Sequence, residues 1–312
     1  AGGVGGLAVH AGLATSLQGR YQNDRLVLER QALEAKPAIA QAALPQPAPV
    51  SLQAIRSRGV LRLGVRQEAM PWAYRNRAGQ WVGFDLDLIR RLAKDLGIGR
   101  IELVEGNLPD LEGWLEQERL DLLVGGLVAT PGRSARFQVS VPYLTAHLGL
   151  VVADETVRRI QDLELRPLNR PLQLAVIDAN LLTPSLRDRI DQRLGRGLTS
   201  VRIAPIASRD AFFSTAGQRR FDGLLTTTEG GAAWSAVYPS TTLLAPFGSE
   251  LPVRLGVMIG GSDQALGNYI DSWLASQDAQ GSLRELYRYW ILIQGGAGTG
   301  LASPEMVGKA DR

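Results

Sequence analysis

The chain has 312 residues, 45% hydrophobic and 21% charged, enough for one large lobe or two ordinary ones, and no stretch is long and apolar enough to span a bilayer. Its 34 basic and 31 acidic residues nearly balance, with no basic block beyond pairs such as Arg90-Arg91 and Arg219-Arg220, so nucleic-acid binding is not expected. Cysteine is absent and the only histidines are His10 and His147, which excludes disulfides, thiolate metal sites and cysteine nucleophiles and leaves little for a histidine zinc site or a Ser-His-Asp triad. No metal or other cofactor is expected.

The sequence starts at Ala1 with no basic-then-apolar leader. A leader already removed and a domain cut from a longer chain both fit. Residues 1–14 are Gly/Ala-rich and expected to be poorly ordered. From Ser16 to about Lys36, Leu17, Tyr21, Leu28 and Leu33 have loosely helical spacing. Residues 37–50, PAIAQAALPQPAPV, favour an extended, semi-rigid linker. It is either a spacer that holds the domain off a membrane or partner, or a removable tail. Residues 1–50 are therefore expected to be a flexible segment.

The folded part is expected from Ser51. Ser51–Arg58 predicts a short helix ended by Gly59. Leu61, Leu63 and Val65 alternate with Arg62 and Gly64 and predict a strand. Asp85 is expected to cap a helix with Leu86, Ile89, Leu92, Ala93 and Leu96 on one face. Strand 101–104, helix 109–118 and strand 120–124 follow. A second region repeats the logic: strand 172–177, a helix opened by Thr183-Pro184, strand 201–205, helix 210–216, strand 221–225 and strand 254–259. Helices 263–276 and 282–290 close the fold, and residues 296–312 are expected to be a disordered tail. Strands alternating with helices predict an α/β protein with mostly parallel sheets and helices on both faces.

Several segments, in order, resemble the family 3 solute-binding proteins. They are Ile55-Arg-Ser-Arg-Gly-Val-Leu-Arg-Leu-Gly-Val65, Pro71-Trp-Ala-Tyr74, Gly83-Phe-Asp-Leu-Asp-Leu88, the run DLLVGGLVATPGR from Asp121 to Arg133, Ser140-Val-Pro-Tyr143, and the closing segment Gln280 to Trp290. The resemblance covers roughly residues 51–295 and is best in the N-terminal half. It implies a two-lobed type II periplasmic binding protein fold with two hinge crossovers, near 145–152 and 250–258. One lobe would be 51–150 plus 253–295, the other 151–252.

It also implies a ligand site. Arg133 matches the family arginine that binds the ligand's α-carboxylate, and its planar fork suits two parallel hydrogen bonds to a carboxylate. A surface arginine at a helix start is the plain alternative. Thr130 would add a hydroxyl or act only as a helix cap. Val128 stands where the family commonly has Thr or Ser, so only its backbone could contact ligand. Trp72 and Tyr74 are aromatic candidates for the cleft wall, against ordinary core packing. Glu68 is a loop candidate. In the second lobe Thr227 aligns with the family acid that binds a ligand ammonium, and a neutral hydroxyl cannot supply that charge. Glu229 or Asp178 could substitute; otherwise the ligand lacks an ammonium. Asn180 could donate to the carboxylate. Asp87 and Asp121 are read as scaffold, as is His147.

The resemblance therefore implies a periplasmic or otherwise extracytoplasmic receptor, not an enzyme, that closes on a small carboxylate, above all an amino acid. Its partner would be a membrane permease, a fused transporter or a sensor, with the N-terminal segment a candidate tether. The rivals are a dehydratase of the same fold with Glu229 as general acid, and a module that has lost its ligand.

Overall fold

The computed structural model describes residues 30–163, 166–195 and 200–292. The helix expected from Ser16 lies mostly outside these residues, as do the Gly/Ala-rich start and the expected tail. The chain divides into two compact units, one of residues 30–145 and 254–292, the other of residues 146–253.

The strands of the first unit are β1 (Ala38–Gln41), β2 (Val60–Arg66), β3 (Tyr74–Arg75), β4 (Trp81–Val82), β5 (Arg100–Gly106), β6 (Leu122–Val124) and β7 (Gln138–Val139), with β14 (Met258–Ile259) returning late in the chain. The main sheet has the order β1-β5-β2-β6-β14-β7. β1, β5, β2 and β6 run parallel, and β14 is antiparallel to both β6 and β7. In β2 the expected face, Leu61, Leu63 and Val65, is fully buried. The opposite face is covered too. Arg62 is buried against Asp121, and a Cβ on Gly64 would lie 2.6 Å from Leu120. Burial on both faces is usual for a parallel strand. Asp121 accepts from the Arg62 backbone N–H at 2.7 Å, from Arg62 Nη2 at 2.7 Å and from Arg58 Nη2 at 2.6 Å. That is the scaffold role its position suggested.

Residues 30–49 depart from the flexible linker expected of them. β1 pairs with β5 from Ala38↔Arg100 to Gln41↔Leu103 and forms the edge of the sheet. Further along, the carbonyls of Pro45 and Ala48 accept from Arg119 and Arg62. Before β1 the segment is irregular, and Leu33 N–H donates to Asp87 Oδ2 at 2.9 Å. Asp87 also accepts from Trp290 Nε1 at 2.9 Å and Arg90 Nη1 at 2.9 Å. The Pro/Ala composition does favour extended backbone. An extended backbone also offers its groups to a sheet edge and to buried side chains, which composition cannot show.

The second unit carries β8 (Leu144–Ala153), β9 (Leu172–Val176), β10 (Val201–Pro205), β11 (Gly223–Thr227) and β12 (Thr241–Leu244), ordered β10-β9-β11-β8-β12. β10, β9 and β11 are parallel, and β8 is antiparallel to both β11 and β12. The first expected crossover, 145–152, is thus part of one ten-residue strand. The expected strand 254–259 divides into β13 (Pro252–Leu255) and β14. The expected helix 210–216 divides into Asp210–Phe213 and Thr215–Arg220, because Ser214 is extended and its side chain caps the second piece at Gly217 N–H. Ser51, Thr130 and Thr183 each cap a helix through the side chain, and Gly59 ends one at φ 66°. Asp222, just before β11, accepts from Arg159 and Arg170 and from Gln173 N–H.

Candidate functional site

In the first unit the site is built where the parallel strands end. Val65 pairs with Val124, so Glu68 after β2 and Gly125-Gly126 after β6 leave the sheet at the same end. That end is where open α/β sheets bind ligands. Gly126 has φ 65°, and a Cβ there would meet Trp72 Cδ1 at 2.3 Å, so the turn needs glycine for backbone and space alike.

The turn is held by Asp85. Its Oδ2 accepts from Gly125 N–H at 2.9 Å and Gly126 N–H at 2.8 Å, and its Oδ1 accepts from the Tyr143 hydroxyl at 2.7 Å. The expectation that Asp85 caps a helix is corrected here. The helix Phe84–Asp95 already contains Asp85, and its N-cap is Gly83, with φ 138° and no side-chain bond. Gly83 is required because a Cβ would sit 2.2 Å from the Trp72 carbonyl. With its helix starting two residues early, Asp85 turns into the core. Burial pushes its pKa above the usual carboxylate range, partly offset by the donors from Tyr143, Gly126 and Gly125.

Trp72 is packed rather than open. It is 2% exposed, edge-on to Phe84 at 5.7 Å, and against Gly126. Tyr74 is turned elsewhere, buried and edge-on to Trp290 at 6.1 Å. Burial raises its hydroxyl pKa far above the ordinary tyrosine value. Glu68 is half-buried at φ 55°.

Beyond the glycines, Val128 bridges Leu255 and Ala129 N–H donates to the Arg254 carbonyl. Thr130 Oγ1 accepts from Arg133 N–H at 3.2 Å and caps the helix Pro131–Ser134. The Arg133 side chain is 1% exposed. Its Nη1 donates to the Val128 carbonyl at 3.1 Å, and its Nη2 pairs with Glu112 at 3.2 Å. The structure thus gathers Gly126, Val128, Thr130 and Arg133 into one short stretch, with Trp72 packed on the glycine.

In the second unit Val176 pairs with Leu225, so Asp178, just after β9, and Thr227, the last residue of β11, lie at one end of neighbouring parallel strands. Asp178 Oδ1 accepts from Asn180 N–H at 3.1 Å across the turn Ala179–Leu181. Asn180 is exposed. Thr227 Oγ1 accepts from Gly230 N–H at 3.0 Å as the N-cap of the helix Thr228–Val237. Glu229, in that helix's first turn, is buried and accepts from the Thr228 hydroxyl at 3.0 Å.

Two residues that shape the first-unit site went unread in the sequence. From the sequence Asp85 reads as a cap. Glu112 shares the buried face of its helix with Leu108, Leu111 and Leu115. An acid inside that apolar stripe was the available signal, since a buried carboxylate needs a partner.

Comparison with known proteins places the chain. A family model, bacterial extracellular solute-binding proteins, family 3, matches residues 61–293. The cyclohexadienyl dehydratase of Pseudomonas aeruginosa is 24% identical over 78% of this chain and 90% of that protein. The amino-acid-binding protein AabA of Dichelobacter nodosus is 30% identical over 31% of this chain and 38% of that protein. Among solved structures, an ancestral amino acid-binding protein described as a precursor of cyclohexadienyl dehydratase has 25% identity and a TM-score of 0.61, covering 77% of this chain and 98% of that one. The fold is that of the type II periplasmic binding proteins. The dehydratase match overturns the expectation that the chain is not an enzyme: a relative aligned along most of both chains is one. Among the described residues no helix is long and apolar enough to cross a membrane.

Proposed function

The chain belongs to the bacterial extracellular solute-binding proteins of family 3, and on that premise we propose that it closes on a small carboxylate, an amino acid first, outside the cytoplasm in the service of a membrane transporter or sensor. The observation that carries this reading is Arg133, a guanidinium almost wholly buried, in the four-residue helix Pro131–Ser134 that follows the Gly125-Gly126 turn in the chain. Burying an arginine is costly and needs compensating partners. A fixed fork near a strand end is suited to a carboxylate. An amino-acid-binding relative and an amino-acid-binding ancestor support the ligand class. Glu68, Trp72, Val128 and Thr130 remain proposed ligand contacts within the first lobe, while Tyr74, packed on Trp290, does not; within the second lobe Asp178, Asn180, Thr227 and Glu229 remain candidates. Since Thr227 is neutral and serves as a cap, Glu229 or Asp178 would have to partner an ammonium.

The test strips carried ligand by unfolding and refolding, then follows thermal unfolding against L-amino acids, dicarboxylates and other small acids. A ligand at about a hundred times its Kd adds about 2.7 kcal/mol. The shift is expected to vanish in Arg133→Ala. No shift with any acid, in folded protein, would sink the reading and favour a module without ligand.

One observation favours a second reading. Glu229 is a buried acid in a chain aligned with a dehydratase. On that reading it donates a proton to a leaving hydroxyl, which departs as water while a bond elsewhere on the substrate ring system, C–H or C–carboxylate, breaks to supply the electron pair. Turnover of a cyclohexadienyl carboxylate, lost in Glu229→Gln, would decide for it; binding without turnover would decide against it.

A further inference from the structure

A second guanidinium stands beside the glycine turn, at the strand end where the first-unit site is built. Arg66 is the last residue of β2 and pairs with Gly106 of β5. Its Nε donates to the Gly125 carbonyl at 3.1 Å, which fixes the plane of the group. Gly125 is shaped around this neighbour: its φ is 128°, and a Cβ there would lie 3.0 Å from the Arg66 Cβ. Asp85 accepts from the N–H of the same glycine, so the two side chains grip Gly125 by both its polar groups.

The two arginines differ in access. Arg133 is 1% exposed and closed in against Glu112 and the Val128 carbonyl. Arg66 is half-buried and keeps contact with solvent. Its charge is felt around the turn. Burial raises the proton affinity of the Asp85 carboxyl and of the Tyr143 hydroxyl, and the Arg66 charge is among the influences that pull both back down. That charge acts at this strand end whatever else the side chain touches, and partial burial strengthens its effect on a nearby anion. Glu68, two residues further on, has the opposite charge. If Glu68 cancelled Arg66, the site would treat an acid and its amide alike.

We propose that Arg66 is a specificity-determining residue whose guanidinium favours a ligand with a second negative group, so that the ligand class is acidic amino acids and dicarboxylates rather than neutral amino acids. This rests on the reading that a small carboxylate binds at this end of the first lobe.

The test uses the full chain and three pairs of nearly equal shape: L-glutamate and L-glutamine, L-aspartate and L-asparagine, glutarate and its monoamide. Kd is measured by calorimetry. In at least one pair the parent is expected to favour the acid by about tenfold or more, the scale of one hydrogen bond to a charged group. Arg66→Gln is expected to erase that preference by weakening the acid, with little change in the amide. A merely structural arginine would weaken both members alike, and that outcome overturns the proposal. So does a parent that binds the amide as tightly as the acid in every pair, or that binds only other ligands. If Arg66→Gln fails to fold, Arg66→Lys decides. It keeps the charge without the planar fork, and is expected to weaken the acid severalfold and the amide less; equal effects overturn the proposal. Arg133→Ala separates the two levels. If neutral amino acids bind, lose affinity in Arg133→Ala and show no disadvantage against the acids, only this inference falls. If the acid preference depends on Arg66 while Arg133→Ala binds like the parent, the role given to Arg133 falls and this inference stands. A parent chain that binds no acid and no amide overturns both.

Discussion

The two lobes keep some of their buried acids in opposite ways. In the first, burial raises the pKa of Asp85 and Asp87 above the usual carboxylate range, against the pull of N–H and hydroxyl donors and, for Asp87, of Arg90. In the second, burial pushes Asp222 up as well, but the Arg170 hydrogen bond, the Gln173 N–H and the charges of Arg170 and Arg159 together bring it below that range. Neutral donors satisfy a carboxylate's hydrogen bonds without offsetting its desolvation in full, whereas two guanidiniums overcome it. These two acids of the first lobe fix backbone, the Gly125-Gly126 turn through Asp85 and residues 33 and 34 through Asp87, while Asp121 and Glu112 there pair with arginines. The second ties a strand start to exposed arginines.

The sharpest break of this comparison is ion-pair removal. Asp121→Ala in the first lobe leaves Arg62 buried without its carboxylate and is expected to cost about 3–5 kcal/mol. Asp222→Ala is expected to cost only about 1–3 kcal/mol, because side chains as exposed as Arg159 and Arg170, at 43% and 46%, return to water. Urea unfolding of both variants checks this, and equal losses would erase the contrast.

Removing residues 30–49 comes next. It takes β1 from the sheet edge and two N–H donors from Asp87. A loss of about 2 kcal/mol is expected, the scale of leaving a buried acceptor short of donors. In the shortened chain Asp87→Asn should then cost less than in the parent. A shortened chain as stable as the parent would mean that the segment only rests on the surface.

The pH response should be smaller and of opposite sign in the two lobes. Asp85 and Asp87 bind protons more tightly folded than unfolded. Their contribution is present at low pH and declines as pH rises from the ordinary carboxylate value through the raised one. Asp222 contributes above the ordinary value and loses that contribution as pH falls through its lowered one. Hydrogen exchange, corrected for intrinsic rate, should show β9 and β11 losing protection on acidification before β2 and β6. Simultaneous loss would refute the assignment. Smallest of all, Thr183→Ala should cost about 1 kcal/mol through its helix cap, measurable by urea unfolding, and a neutral result would show that the cap bond is replaced by water.

Much of the fold was legible because it rests on local patterns. Alternation marked β2, and small polar caps marked the helices at Ser51, Thr130 and Thr183. The motif from Asp121 to Arg133 was readable as a unit because strand end, turn and helix start are contiguous. β8 and β12 were missed as strands, since a segment near a crossover with mixed composition shows its pairing only through its partners. The aromatic candidates parted for a similar reason. Trp72 and Tyr74 are two residues apart, yet one packs on Phe84 and the other on Trp290.

By itself the sequence determined the alternation of strands and helices, the family pattern, and the place of Arg133 beside a glycine turn. Only the tertiary structure decided which groups Asp85, Asp87 and Glu112 serve. Their partners lie 40, 54 and 21 residues away, at Gly125, Leu33 and Arg133. A cap or a period is set by neighbours within a turn of the chain. The partner of a buried charge is set by which desolvated group the packing brings against it.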